Sequence, residues 1–251
     1  MIEVSKRVSA IAPSMTLEIS AKANELKAAG VKVINFGVGE PDFNTPKHVC
    51  EAAKEAMDKG YTKYVAAAGL PKLKKAIAKK FKTDNNLDYD PSQIIVSNGA
   101  KHSIFNAIFA VINEGDEVLM PKPYWLTYPE VVRACGGIPE YIYAKPRHGY
   151  KITAAQLEAA ISPRTKMFIF NSPCNPTGAV YSETEIRAIA DVCVKYNIVV
   201  LADEIYEKLN YGAEPHFSIA QCSPEMKDLT IVVNGVSKSY AMTGWRLGYL
   251  A

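Results

Sequence analysis

Several features that would assign this chain to a class at once are missing or scarce. The five cysteines are an odd number with no CxxC pair, so we expect neither a disulfide framework nor a zinc site. The net charge of +3 over 251 residues is too small for a nucleic-acid footprint, which needs clustered basic surface. The N-terminal residues contain no apolar run long enough for a signal peptide or a membrane span. These absences favour a soluble, cytoplasmic protein that binds neither nucleic acid nor a membrane.

Two binding motifs are also absent. The glycine-rich stretch 37–43 lacks the GxGxxG spacing of dinucleotide-binding folds, which argues against a nucleotide-dependent oxidoreductase. The histidines show no ligand spacing, so we expect them to be structural or exposed and predict no metal site. They are His48, His102, His148 and His216.

The composition is that of an ordinary globular protein, with 48% hydrophobic and 22% charged residues. From residue 93 onward, short β-branched runs alternate with helical patterns. The predicted strands are 94–97, 117–120, 138–143, 166–170, 198–202 and 231–233, and a further strand is entered at 249–251. This alternation predicts an α/β fold, with a mostly parallel sheet covered by helices on both faces.

The part of the chain before residue 93 is less regular. Residues 1–15 are predicted to be an irregular arm, followed by a helix with Thr16 as its N-cap and Gly30 at its end. A short strand is predicted at 33–36. Two more helices are expected, at 46–59 and 70–81.

Polar or aromatic residues follow five of the predicted strands. They are Gly99, Ala100 and Lys101 after the first, then Trp125, Asn175, Asp203 with Tyr206, and Lys238 after the last. The carboxyl ends of parallel strands meet at one edge of a sheet, where ligands of open α/β folds bind. The sequence therefore predicts that these residues line one crevice.

One end of this crevice suits an anion. Backbone N–H groups at the start of the helix that follows Gly99 form a site for a phosphate, and Arg246 can add a bidentate contact. Trp125 offers a flat face to an aromatic ring.

The other end suits a carbonyl and a ring nitrogen. Desolvation can strip the proton from Lys238, whose amine then attacks a carbonyl carbon. A buried carboxylate at Asp203 can hold a pyridine nitrogen protonated, and Asn175 and Tyr206 can donate to a phenolate oxygen. A lysine Schiff base with an aspartate on the pyridinium is the arrangement expected for pyridoxal phosphate.

Four segments carry a family resemblance: FGVGEPDF, NSPCNPTG, LADEIY and GVSKSYAMTGWRLGY. They resemble the class I aminotransferases, the aspartate aminotransferase family of fold type I, from about Arg7 to the last residue. PYWLTYPE and MTGWRLGY are similar to the bacterial aspartate aminotransferase subgroup. The resemblance implies a pyridoxal 5'-phosphate enzyme that moves an amino group between an amino acid, with aspartate expected, and a 2-oxo acid such as 2-oxoglutarate.

The resemblance also implies roles for the residues of the crevice. Lys238 would hold the cofactor covalently and move the proton at the substrate α-carbon. The ring would be bound by Trp125, Asn175, Asp203 and Tyr206, the phosphate by Gly99, Ala100, Lys101 and Arg246, and the substrate by Gly39, Trp125 and Asn175. Tyr64 matches a tyrosine that reaches the phosphate in the neighbouring subunit, which implies a homodimer.

The family pattern divides the chain into an N-terminal arm with a small-domain segment, 1–45, and a cofactor-binding large domain, 46–251, incomplete at its C-terminal end. Gly235 stands where many relatives carry a phosphate-binding hydroxyl. The expected continuation would hold the arginine that binds the substrate α-carboxylate. Three alternatives therefore stay open: a fold type I lyase acting at the β-carbon, an aminotransferase for aromatic substrates or prephenate, and a truncated fragment without catalysis.

Overall fold

One mixed sheet organises the computed structural model, which describes residues 2–13, 15–37, 39–212 and 215–251. Met1 and Ser14 of the predicted arm, and Val38 of the glycine-rich stretch, lie outside these residues. The strands of the described part are β1 (Ile95–Ser97), β2 (Glu117–Lys122), β3 (Ile138–Tyr143), β4 (Thr165–Asn171), β5 (Val199–Asp203), β6 (Thr230–Gly235) and β7 (Gly248–Leu250). Their order across the sheet is β1-β7-β6-β5-β4-β2-β3.

The strand directions bring six carboxyl ends to one edge. Neighbouring strands from β6 through β5, β4 and β2 to β3 are parallel. β7 is antiparallel to both β6 and β1, so β1 points the same way as β6. The residues that follow β1, β2, β4, β5 and β6 therefore emerge at the same edge of the sheet.

Helices cover both faces of this sheet. Those of the described residues are α1 (Lys6–Ser9), α2 (Met15–Ala28), α3 (Lys47–Asp58), α4 (Pro71–Asn85), α5 (Ala100–Val111), α6 (Thr127–Ala134), α7 (Ala154–Ala160), α8 (Glu183–Lys195) and α9 (Pro224–Asp228). In β4, Phe168 and Phe170 belong to the core shared with α8, whereas Met167 and Ile169 belong to the core shared with α5. This period-two alternation confirms the predicted mostly parallel sheet with two covered faces.

The N-terminal segment packs less well than the rest. The predicted strand at 33–36 is wrong, because this segment pairs with no strand of the described chain and Phe36 is 92% exposed. A β-branched run forms a strand only where another strand accepts its backbone groups. The helix predicted from Thr16 starts one residue earlier, so Thr16 lies inside α2 and is not its cap. The predicted arm contains the short helix α1.

Two local signals gave opposite results further along the chain. Ser182, followed three residues later by Glu185, has the sequence pattern of a capping box, and this box is present and starts α8. Asn234-Gly235 is a pair that favours a turn by its sequence, yet both residues pair with β7 and so extend β6. No helix within the described ranges combines the length and the apolar character needed to cross a bilayer.

The contact between β7 and the start of α5 is unusually close. A Cβ on Gly248 would overlap the backbone of Gly99 and Ala100, whereas a Cβ on Gly244 would meet no atom within 4 Å. Glycine at position 248 therefore allows the sheet to approach the N-terminus of α5, which forms one end of the crevice.

We predict that Gly248→Ala lowers the free energy of unfolding by about 2–3 kcal/mol, because a backbone clash cannot be relieved by side-chain rotation. Urea unfolding followed by circular dichroism measures this. Gly244→Ala is the matched control and should change the value by less than about 0.5 kcal/mol. Equal effects of the two substitutions would contradict the close approach of β7 to α5.

Candidate active site

Lys238 lies three residues beyond the end of β6 and is half-buried. Its ammonium donates a hydrogen bond to the carbonyl of Gly39 at 2.5 Å and lies 5.8 Å from the centre of the Tyr206 ring. Burial lowers the pKa of Lys238; Glu40 opposes this shift, and Arg246 adds to it. A lowered pKa increases the fraction of neutral amine, which is the form that attacks a carbonyl.

Asp203, the last residue of β5, is 2% exposed. The hydroxyl of Tyr128 donates to its Oδ2 at 2.7 Å, and the backbone N–H of Ile205 donates to its Oδ1 at 3.2 Å. Burial raises the pKa of Asp203 to about 6, although both hydrogen bonds act in the opposite direction. This carboxylate lacks a positive partner within the described chain, which suits it to a ligand cation.

A short hydrogen-bond chain links Asp203 to Asn175 and Tyr206. The amide of Asn171 donates to the backbone carbonyl of Asp203 at 2.8 Å, and its Oδ1 accepts the backbone N–H of Asn175 at 2.7 Å. The Asn175 amide then donates to the Tyr206 hydroxyl at 3.3 Å. Because that oxygen is the acceptor, the phenol proton of Tyr206 stays free to donate to a ligand.

The opposite end of the site is positively charged. Gly99 is the N-cap of α5, with φ of 86°, and no side chain caps the helix. The guanidinium of Arg246 lies against Gly99 so closely that a Cβ there would overlap it. Arg246 donates to the carbonyls of Thr243 at 2.7 Å and of Asn98 at 3.4 Å. The free N–H groups of Ala100 and Lys101 and this guanidinium together form an anion site.

Trp125 connects the two ends. The ammonium of Lys101 lies 5.1 Å from the centre of its ring, and the ring meets that of Tyr128 edge to face at 5.4 Å. Burial lowers the pKa of Lys101, and Arg246 contributes in the same direction. A second amine with a lowered pKa therefore lies in the same crevice as Lys238.

These groups fit pyridoxal phosphate. The cradle at Gly99 can take its phosphate, the buried Asp203 its ring nitrogen, and the amine of Lys238 its aldehyde. The Gly39 carbonyl accepts a hydrogen bond from the Lys238 ammonium and cannot donate to a carboxylate, so only the Gly39 N–H could bind a substrate carboxylate. Tyr64 is fully exposed in the loop before α4 and is not brought into the crevice of its own chain.

Sequence reasoning missed two contributors and left one glycine unexplained. They are Tyr128, near the start of α6, and Asn171, at the end of β4, which contact Asp203 from distant positions in the chain. A Cβ on Gly235 would lie 3.0 Å from the Leu247 carbonyl and 3.1 Å from the Gly248 Cα, so β7 favours a glycine there. No local signal identifies either missed residue.

The raised pKa of Asp203 makes the stability of the ligand-free chain depend on pH. The folded chain holds this proton up to about pH 6, whereas the unfolded chain loses it near 3.8. The contribution of Asp203 is therefore fully present below about pH 4 and is lost as the pH rises through about 6.

We expect Asp203→Asn to raise the free energy of unfolding of the ligand-free chain at pH 7.5 by up to about 3 kcal/mol, because the neutral amide removes a buried charge. The gain should disappear by about pH 4. Urea unfolding across this pH range tests it, with the exposed Asp191→Asn as control. A gain that does not vary with pH would show that Asp203 titrates normally.

Comparison with known proteins agrees with this geometry. The family model for aminotransferase class I and II matches residues 31–251. The chain is 52% identical over 250 residues to an aspartate aminotransferase of Geobacillus stearothermophilus, covering 100% of this chain and 64% of that protein. It is 48% identical to a probable aspartate/prephenate aminotransferase of Aquifex aeolicus, covering 99% of this chain and 63% of the relative.

Solved structures agree as well. The aspartate aminotransferase of Thermus thermophilus with maleate superposes with a TM-score of 0.96 at 43% identity, covering 100% of this chain and 65% of that one. The chain thus spans about 64% of the length of the relatives that it matches. With its family model matched over most of its length, the chain belongs to the class I and II aminotransferases.

Proposed function

We propose that the chain binds pyridoxal 5'-phosphate and carries the cofactor half of an aminotransferase that exchanges an amino group between aspartate and a 2-oxo acid such as 2-oxoglutarate. The observation that carries this proposal is the convergence of the half-buried Lys238 amine and the buried Asp203 carboxylate, joined through Tyr206, Asn175 and Asn171. Members of this family use pyridoxal phosphate as their cofactor.

The residues divide the binding of this cofactor among them. Arg246 and the N-terminus of α5 would hold the phosphate, and Trp125 would cover one face of the ring. Asn175 and Tyr206 would donate to the ring oxygen. When bound, the cofactor supplies an electron-withdrawing ring that stabilises negative charge at the substrate α-carbon.

Two residues of the chain handle protons. Asp203 would hold a proton at the ring nitrogen, because its carboxylate is buried and attracts a positive partner. With the cofactor bound, the Lys238 amine would lie where it can accept and return the proton at the substrate α-carbon. The lowered pKa of Lys238 brings this amine closer to neutral pH, where it can serve as both base and acid.

Aspartate is the proposed amino donor because relatives at about 50% identity bear the name aspartate aminotransferase. The Thermus structure superposed above contains maleate, a dicarboxylate. A second candidate is prephenate or aromatic transamination, favoured by the Aquifex relative and by an aromatic aminotransferase structure from Pyrococcus horikoshii at 41% identity.

The proposal extends to the assembly. We propose a homodimer in which Tyr64 contacts the phosphate site of the partner, since its side chain is fully exposed in this chain. The free cysteines support a reducing cytoplasm as its location. The division into segments 1–45 and 46–251 belongs to the same proposal.

Labelling tests the cofactor site directly. Pyridoxal phosphate should produce a yellow protein, and borohydride reduction followed by peptide mapping should place the label on Lys238. Lys101 is the matched control, because it is a second partly desolvated amine in the same crevice. We expect Lys238→Ala to abolish the label and Lys101→Ala to retain it with weaker binding. Label on several surface lysines in place of Lys238 would refute the site.

Substrate choice needs a separate measurement. With 2-oxoglutarate present, we expect oxaloacetate release from L-aspartate to exceed 2-oxo acid release from L-phenylalanine by at least about tenfold in kcat/KM, a difference of about 1.4 kcal/mol. Pyruvate release from L-cysteine would instead indicate a lyase. A chain that is labelled at Lys238 but inactive toward every donor would support the cofactor site and refute catalysis by this chain.

A further inference from the structure

Three buried side chains outside the cofactor site meet next to Asp203. Glu204 follows Asp203 directly, Glu207 lies three residues later, and His216 returns from the loop beyond. The carboxylates are 3% and 5% exposed, and the imidazole side chain is 8% exposed. One ligand atom from each lies within 4.8 Å of the others. Two buried carboxylates this close need a positive partner.

The contact between Glu204 and His216 does not supply that partner in full. Glu204 Oε2 and His216 Nε2 are 3.1 Å apart, yet both atoms are buried and neither has a hydrogen-bond partner of acceptable geometry within the described chain. The two groups therefore approach closely without a well-aligned hydrogen bond between them. A spacing of 3.1 Å also suits two donors that share one ion at about 2.0–2.1 Å.

Glu207 is compensated differently. The ammonium of Lys80 lies 2.5 Å from its Oε1, and the amide of Asn85 donates to its Oε2 at 3.1 Å. Lys80 thus neutralises the charge of Glu207. The charge of Glu204 remains for a cation that binds between Glu204 and His216. Glu207 and His216 also line a cavity of about 430 Å³, which supplies a path for an ion.

We propose that Glu204, Glu207 and His216 form a binding site for a divalent transition-metal cation of the zinc class. Carboxylate oxygens and an imidazole nitrogen are the ligands that Zn²⁺ accepts in proteins, whereas Mg²⁺ prefers oxygen ligands alone. The sequence concealed this site because the histidines lack ligand spacing. His216 joins the two glutamates only through the fold of its loop.

The proton is the competitor of the metal. Burial lowers the pKa of His216, but Glu204 and Glu207 outweigh it and raise the pKa above its ordinary value, with Lys80 opposing them. Metal binding must displace this proton, so affinity falls as the pH decreases.

Isothermal titration calorimetry of Zn²⁺ binding to the metal-stripped full chain at pH 7.5 tests the site. We expect one Zn²⁺ per chain, and Co²⁺ should give a visible absorption spectrum that Zn²⁺ removes. His216→Asn and Glu204→Gln should each weaken binding at least tenfold. His148→Asn, at an exposed histidine, should leave it unchanged. Lys80→Gln should strengthen binding, because it removes a competing cation from Glu207.

The Co²⁺ spectrum of the unsubstituted chain is informative even if a buried variant fails to fold, and circular dichroism identifies such a variant. Absence of a bound Zn²⁺, or equal binding by His216→Asn in its folded state, overturns the proposal. Either result would make Glu204 and His216 a proton-linked ion pair only. Neither result would bear on the labelling of Lys238.

Discussion

The buried carboxylate of Asp203 is the constraint that the rest of the site accommodates. It lies at the end of β5 and is 2% exposed. Burying an unpaired charge at such a position costs several kcal/mol of folding free energy, which is a large part of the total stability of a domain. Tyr128 and Ile205 donate to it and lessen that cost without removing it. A carboxylate left in this state binds a cationic ring nitrogen more strongly than an exposed one does.

The geometry around Asp203 follows from the sheet. Parallel pairing of β4, β5 and β6 brings Asn171, Asp203 and the Lys238 turn to one edge. β7 runs in the opposite direction between β6 and β1, and Gly248 lets it lie against the start of α5. That contact places the helix N-terminus beside Arg246, so the anion end lies at the same edge of the sheet as Asp203.

Consecutive acidic residues serve different surroundings in this fold. Asp203 accepts a hydrogen bond from Tyr128. Glu204 lies next to His216, which also lines a cavity. Both carboxylates are buried, and the charge of Glu204 adds to the burial that raises the pKa of Asp203. The segment that closes β5 thus borders both the candidate active site and a second polar cluster.

The sequence by itself determined the alternation of strands and helices, the two covered faces and the residues that follow each strand, because periodicity and caps are local properties. It therefore predicted Asp203, Asn175, Tyr206 and Lys238 as neighbours. Only the tertiary structure decided the rest. Tyr128 reaches Asp203 across 75 positions, and residues 33–36 find no strand to pair with. Which side chain satisfies a buried group, and which run gains a pairing partner, depends on the packing of distant segments that no local pattern encodes.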